Sequence, residues 1–191
     1  FTAMTACGTL TYVDFSKCNF GPKAVIEFAK FIPAMAVLTS MNCLNNPLGE
    51  GVHTIIKVFE ETPRLRTLCG LEEGVEHVDW SNSKKGRVDV ALLAADLKAG
   101  RAGATIARLT LSGNAISNYG KDLSGLKALC EVLPSLKNPI SLDLANCYFK
   151  VAEVNEVAQA IQAGAAVARL TMSGNLITGS TNVGYSYAQH D

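Results

Sequence analysis

The sequence predicts an α/β solenoid, a stack of strand–helix units, on three observations. An eleven-residue phrase occurs twice: Ala-Arg-Leu-Thr-Leu-Ser-Gly-Asn-Ala-Ile-Ser at 107–117 and Ala-Arg-Leu-Thr-Met-Ser-Gly-Asn-Leu-Ile-Thr at 168–178, identical at eight of eleven positions. A looser form of it recurs in phase along the chain, with apolar residues at positions 1, 4, 6 and 11 and Asn or Cys at position 9. Each copy but the last is followed by an apolar stripe of helical period. Self-similarity at a fixed step is the mark of an array of one small unit.

Taken in order, unit one has Leu10, Val13, Phe15, Cys18 and Phe20, and unit two has Leu38, Met41, Cys43, Asn46 and Leu48. Unit four has Ile106, Leu109, Leu111, Asn114 and Ile116. Unit five starts loosely at Pro139, then gives Leu142, Leu144, Cys147 and Phe149. Unit six has Val167, Leu170, Met172, Asn175 and Ile177. Apolar residues two apart, at positions 4 and 6, have the period of a short strand with one face buried. After position 11 the period becomes helical. Val25, Phe28, Ala29 and Ile32 make one stripe, with Pro22 at a helix start. Val52, Ile55, Ile56 and Phe59 make the next. Leu126, Leu129, Cys130 and Leu133 follow, with Asp122 as N-cap, and then Val154, Val157, Ala158 and Ile161. Pro33, Pro63 and Pro134 fall where helices should stop. One strand and one helix cannot bury both apolar faces alone, whereas stacked units can. The Asn or Cys at position 9 sits where the chain leaves the strand and strands backbone polar groups inside. A side chain that hydrogen-bonds locally would satisfy them.

The phrase L-x-x-L-x-L-x-x-N/C-x-L is the signature of leucine-rich repeats, and the chain resembles that family from about residue 5 to 178. The 28-residue step from Leu10 to Leu38, and again from Pro139 to Val167, is similar to the helix-bearing, ribonuclease-inhibitor type. The resemblance implies a horseshoe segment of about six strand–helix repeats with a parallel sheet on the concave face. It implies binding rather than catalysis, and names no partner.

Unit three is irregular. Leu65 and Leu68 begin on schedule, but the phase then slips. Val75, Val78, Trp80 and Ser83 fit positions 1, 4, 6 and 9, and a helix over Val88–Lys98 follows at the right distance. That reading makes 63–74 an insertion; the other puts the strand near 65–69. Unit four carries extra residues, Ser117 to Lys121. Insertions of this kind map to edge loops, where function concentrates. The repeat domain is expected over 1–178 and an irregular Gly-, Ser-, Thr- and Tyr-rich tail over 179–191. Neither end looks well capped. The chain begins at Phe1 rather than Met, which reads as a processed form or a piece of something longer.

Composition narrows the function classes. Seventeen Lys and Arg balance seventeen Asp and Glu, whereas nucleic-acid binders carry a basic excess. The stretch Val88–Ala99 is interrupted by Asp89, Asp96 and Lys98, and no apolar run is long enough to span a membrane. Six cysteines are spread from 7 to 147 without a Cys-x-x-Cys pair, which favours reduced thiols and a reducing intracellular compartment. No Asn-x-Ser/Thr site occurs. Histidines at 53, 77 and 190 make no metal-ligand spacing, and no cofactor motif is present.

Strands in register would stack equivalent positions into ladders. Position 3 gives Tyr12, Ser40, His77, Arg108, Ser141 and Arg169. Position 5 gives Asp14, Asn42, Asp79, Thr110, Asp143 and Thr171. The candidate binding set for a protein partner is Tyr12, Asp14, Asn42, His77, Asp79, Arg108, Thr110, Asp143, Arg169 and Thr171. Against it stands a solvated sheet face with cross-strand charge pairing. Trp80, at inward position 6, belongs to the core. Two other readings are carried: an accessory subunit docked within a larger assembly, and a hydrolase using Cys69, His77 and Asp79. The residue types suit the second, but no nucleophile-elbow phrase surrounds Cys69.

Overall fold

A computed structural model describes residues 1–178. Those residues form six short strands and six α-helices that alternate along the chain. A four-residue helix α1, Thr2–Thr5, opens it. Strands β1 (Tyr12–Asp14) and β2 (Ser40–Asn42) pair in parallel. Strands β3 (His77–Asp79), β4 (Arg108–Thr110), β5 (Ile140–Asp143) and β6 (Val167–Thr171) form a second parallel sheet in chain order. Helices α2 (Pro22–Ala29), α3 (Gly51–Glu60), α4 (Arg87–Ala99), α5 (Ser124–Val132) and α6 (Val151–Gln162) each follow one strand. Consecutive helices from α2 to α6 pack on one another. The tail 179–191 lies outside the described residues.

The core is made by the predicted positions. Val13, Met41, Val78, Leu109 and Leu142 at position 4, and Cys43, Leu111 and Leu144 at position 6, are buried against the helix stripes. Trp80 is only half-buried, and the Lys85 ammonium lies 5.1 Å over its ring. Two helix contacts depend on glycine. A Cβ at Gly51 would strike Val25 and Pro22 of α2, and one at Gly125 would strike the Arg87 backbone of α4. The stripe expected for α6 needs correction. Val157 is buried, but Ala158 and Ile161 are exposed, and Glu153 and Ala160 take the inner face with it. Among the described residues α6 packs on α5 and has no later helix to cover its far side.

The irregular unit contains both expected segments. Residues 66–70 run beside β2: the amides of Met41 and Cys43 donate to the Thr67 and Leu68 carbonyls, and the Arg66 and Gly70 amides donate back to Thr39 and Met41. Residues 77–79 form β3, which pairs with β4. The buried Asp96 of α4 reaches back to the first segment. Its carboxylate accepts from Thr67 Oγ1 (2.5 Å), the Leu68 amide (2.8 Å) and the Cys69 amide (3.1 Å). Aromatic rings cluster at the N-terminal end. The Phe1 ring meets Phe15, Phe20, Phe28 and Phe31 at 5.0–6.3 Å.

The asparagines at position 9 bond the local backbone as expected, and each also reaches the unit before. Asn46 Oδ1 accepts from the Cys18 and Phe20 amides of unit one, while its Nδ2 donates to the Phe15, Cys43 and Leu44 carbonyls. Asn114 accepts from Lys85 and donates to Trp80, Leu111 and Ser112. Asn175 accepts from Cys147 and Phe149 and donates to Leu144 and Met172. Units one, three and five lack this Asn. In units three and five a buried acid at the third residue of the helix bonds the unit before or the helix start. Asp89 accepts from the Asn45 and Gly86 amides, and Glu153 from Ser117 Oγ and the Lys150 amide.

Candidate functional site

The register of the second sheet places His77, Arg108, Ser141 and Arg169 in one row across four strands. Asp79, Thr110, Asp143 and Thr171 form a second row two residues further along. Inward residues between them are core, so both rows lie on the opposite face of the sheet. His77, Asp79, Arg108 and Arg169 are exposed; Thr110, Ser141, Asp143 and Thr171 are half-buried. Strand spacing puts Arg108 and Arg169 about 10 Å apart, with the short Ser141 between them. A depression of about 290 Å³ opens there, lined by both arginines, Ser141, Asp143 and the Thr110 and Thr171 hydroxyls.

The first sheet carries the rest of the expected set. Tyr12 is 47% exposed and its hydroxyl donates to Asp14 Oδ2 at 3.2 Å. The pairing of Tyr12 with Ser40 and of Asp14 with Asn42 continues the two rows on that sheet. The ten residues are therefore five on β1, β2 and β3 (Tyr12, Asp14, Asn42, His77, Asp79) and five around the depression (Arg108, Thr110, Asp143, Arg169, Thr171).

Their bonding separates them by role. Cross-strand charge pairing does not occur among the described residues: neither Arg108 nor Arg169 has a carboxylate within ion-pair distance. The acids and amide at position 5 instead turn the chain at the strand exit. Asp14, Asn42, Asp79 and Asp143 each accept from the amide two residues on, at Ser16, Leu44, Ser81 and Ala145 (2.7–3.1 Å). Such side-chain-to-backbone bonds are turn chemistry. The Ser81 amide holds the Asp79 carboxyl below the usual carboxylate range, and Ser16 does the same for Asp14. His77 Nε2 lies 3.1 Å from Thr110 Oγ1. The position-3 cations, by contrast, hold nothing else in place.

Cys69 is buried. Burial first, and the charge of Asp96 second, raise its thiol well above the ordinary value. Its neighbour Cys43 is pushed up to about 12 by burial. His77 stands exposed on the sheet face, bonded to Thr110. No group of three or more His, Cys, Asp or Glu side chains converges among the described residues. No helix there is long and apolar enough to cross a membrane.

Two features escaped sequence reasoning. The insertion in unit four sets Tyr119 against Tyr148 of the next unit, rings 4.9 Å apart, each about half exposed and each with positive φ. Nothing in the sequence links these two tyrosines. A larger depression of about 790 Å³ lies at the strand-exit edge, beside Lys17, Asn45, Asn82, Lys84 and Arg87. Asp89 already caps the α4 N-terminus within it, and Arg87 pairs with Asp122 at 2.8 Å. Lys17 and Lys84, on the same depression, have no ion pair. Compared with known proteins, the chain matches no family model and no curated protein.

Proposed function

We propose that this chain is a leucine-rich repeat protein of the helix-bearing, ribonuclease-inhibitor-like type. It is a short solenoid that binds a protein partner, without catalysis, through its exposed sheet face. The reading is supported by the in-phase sequence phrase, by parallel strands in chain order and by asparagines that tie units two, four and six each to the one before. The observation that carries the functional part is the row containing Arg108 and Arg169: two exposed guanidiniums, unpaired, on either side of a small residue. Arginine supplies much of the binding energy at protein interfaces and is pre-organised for carboxylates. The position-5 residues shape this surface from the turns. His77 and Tyr12 extend it towards the first sheet.

The test is selective loss. The chain carrying Arg108→Glu with Arg169→Glu should lose proteins captured by the unaltered chain. Lys23→Glu with Lys57→Glu, on the helix side, should retain them. Equal capture by both variants would remove the sheet-face assignment.

A second reading, a subunit docked by its end within a larger assembly, is favoured by apolar residues at the α6 and β6 end. Val151, Ile161 and Ile177 are 52%, 46% and 46% exposed. Light scattering separates the two: self-association or loss of solubility on isolation favours end docking, and a monodisperse monomer favours the sheet face.

A further inference from the structure

We infer that the depression over β5 receives an extended segment of the partner that carries an acidic residue, seated between Arg108 and Arg169, and a basic residue two positions away, over Asp143. The inference rests on the sheet-face reading and gives it a chemistry. The cation row and the acid row run across the strands, one step of two residues apart, which is about 6–7 Å. An extended peptide has the same spacing between side chains i and i+2 on one face. A segment laid along β5 in either direction therefore matches both rows at once.

The side chains suit that occupant. Ser141 is short, so both guanidiniums can close on one carboxylate above it, and Arg–carboxylate pairs are two-pronged and directional. Asp143 Oδ1 accepts from the Ala145 amide at 2.9 Å, which fixes its carboxylate and leaves the second oxygen for a cation. The Thr110 and Thr171 hydroxyls stand on either side of Asp143 as further donors or acceptors. A uniformly charged ligand meets as much repulsion as attraction here, because Asp79 and Asp143 lie beside the arginine row. That argument excludes a nucleic-acid backbone and favours alternating charge. Specificity of this kind comes from penalising the wrong pattern as much as from rewarding the right one.

The experiment is an NMR titration of the whole chain, reading the Nε–Hε signals of Arg108 and Arg169. The probe is the capped peptide acetyl-Gly-Glu-Thr-Lys-Gly-amide. Its control, acetyl-Gly-Glu-Lys-Thr-Gly-amide, has the same composition but puts the two charges on opposite faces of an extended chain. Exposed ion pairs are weak, so a Kd on the order of 1 mM is expected for the probe. The control should bind about tenfold more weakly. Arg108→Gln with Arg169→Gln should abolish the probe-induced shifts of the Ser141 and Asp143 backbone amides, while the spectrum without peptide stays that of the folded chain, since neither guanidinium holds the fold. Lys127→Gln should leave probe binding unchanged. Unmoved arginine signals, or equal binding of both peptides, would overturn the inference. Either result alongside continued loss of the protein partner in the double Glu variant leaves the sheet face as the binding surface and rejects only this chemistry.

Discussion

At the scale of single residues, the fold depends on polar groups that are buried and fully used. Asn114 is 1% exposed and makes four hydrogen bonds, three of them given to carbonyls. A carboxylate in its place keeps the shape but turns three attractions into repulsions. Asn114→Asp should therefore destabilise by about 1–3 kcal/mol in urea unfolding; a neutral result would refute the bonding described. Gly113 precedes it with φ +70°, and a Cβ there would strike the side-chain amide of Asn82 in the unit before. Gly174 and Asn146 repeat this arrangement. Gly113→Ala should cost about 1–3 kcal/mol, and combining it with Asn82→Gly should recover part of that cost. A double-mutant cycle measures the coupling, expected at about 0.5 kcal/mol or more; strict additivity would show that the two positions do not meet. Arg101 shows why some residue roles were hidden. Its guanidinium donates to the carbonyls of Phe59, Glu60, Thr62 and Leu65 and lies 4.6 Å from the Phe59 ring. It follows α4 yet closes the end of α3, a partnership that only the stacking creates.

At the scale of elements, strands and helices were legible because each has a short, repeated period. The β3 position followed from Val78 and Trp80, and α4 from the stripe after Val88. The acids inside α4 were legible only as interruptions of an apolar stretch. Asp89 and Asp96 are in fact buried acceptors, because α4 must hold the chain on both sides of the irregular unit. Asp96 carries a measurable consequence. Burial raises its carboxyl to about 6, against the lowering effect of the hydrogen bonds from Thr67, Leu68 and Cys69. The folded value lies above the unfolded one, near 4. Its contribution to stability is therefore present in full below about pH 4 and is lost as pH rises through about 6. The margin of the unaltered chain over Asp96→Asn should be larger at pH 4 than at pH 7, by up to about 3 kcal/mol. A carboxyl carbon that titrates near 4 in NMR would contradict it. The α6 stripe was misread for a related reason: period alone cannot tell which apolar residues have a neighbour to pack on.

At the scale of the whole molecule, register decides what a surface residue can do. The sequence pattern assigned ten residues to one face, and the strand pairing aligns their positions into rows. It did not distinguish the position-5 acids, which turn the chain, from the position-3 arginines, which do not. That distinction needs the backbone amides at Ser16, Leu44, Ser81 and Ala145. The cysteines offer a check on the packing as a whole. Cys7 and Cys18 are exposed, whereas Cys43, Cys69, Cys130 and Cys147 are buried. A thiol reagent should label the first two rapidly and the other four only on unfolding; rapid labelling of Cys43 or Cys69 would mean that the core is open. The surface claim is tested most directly by arginine modification of the free chain and of its complex, mapped by mass spectrometry. Phenylglyoxal should modify Arg108 and Arg169 in the free protein, because both are exposed and unpaired, and the bound partner should shield them. If both arginines react equally with and without the partner, the sheet face is not the binding surface.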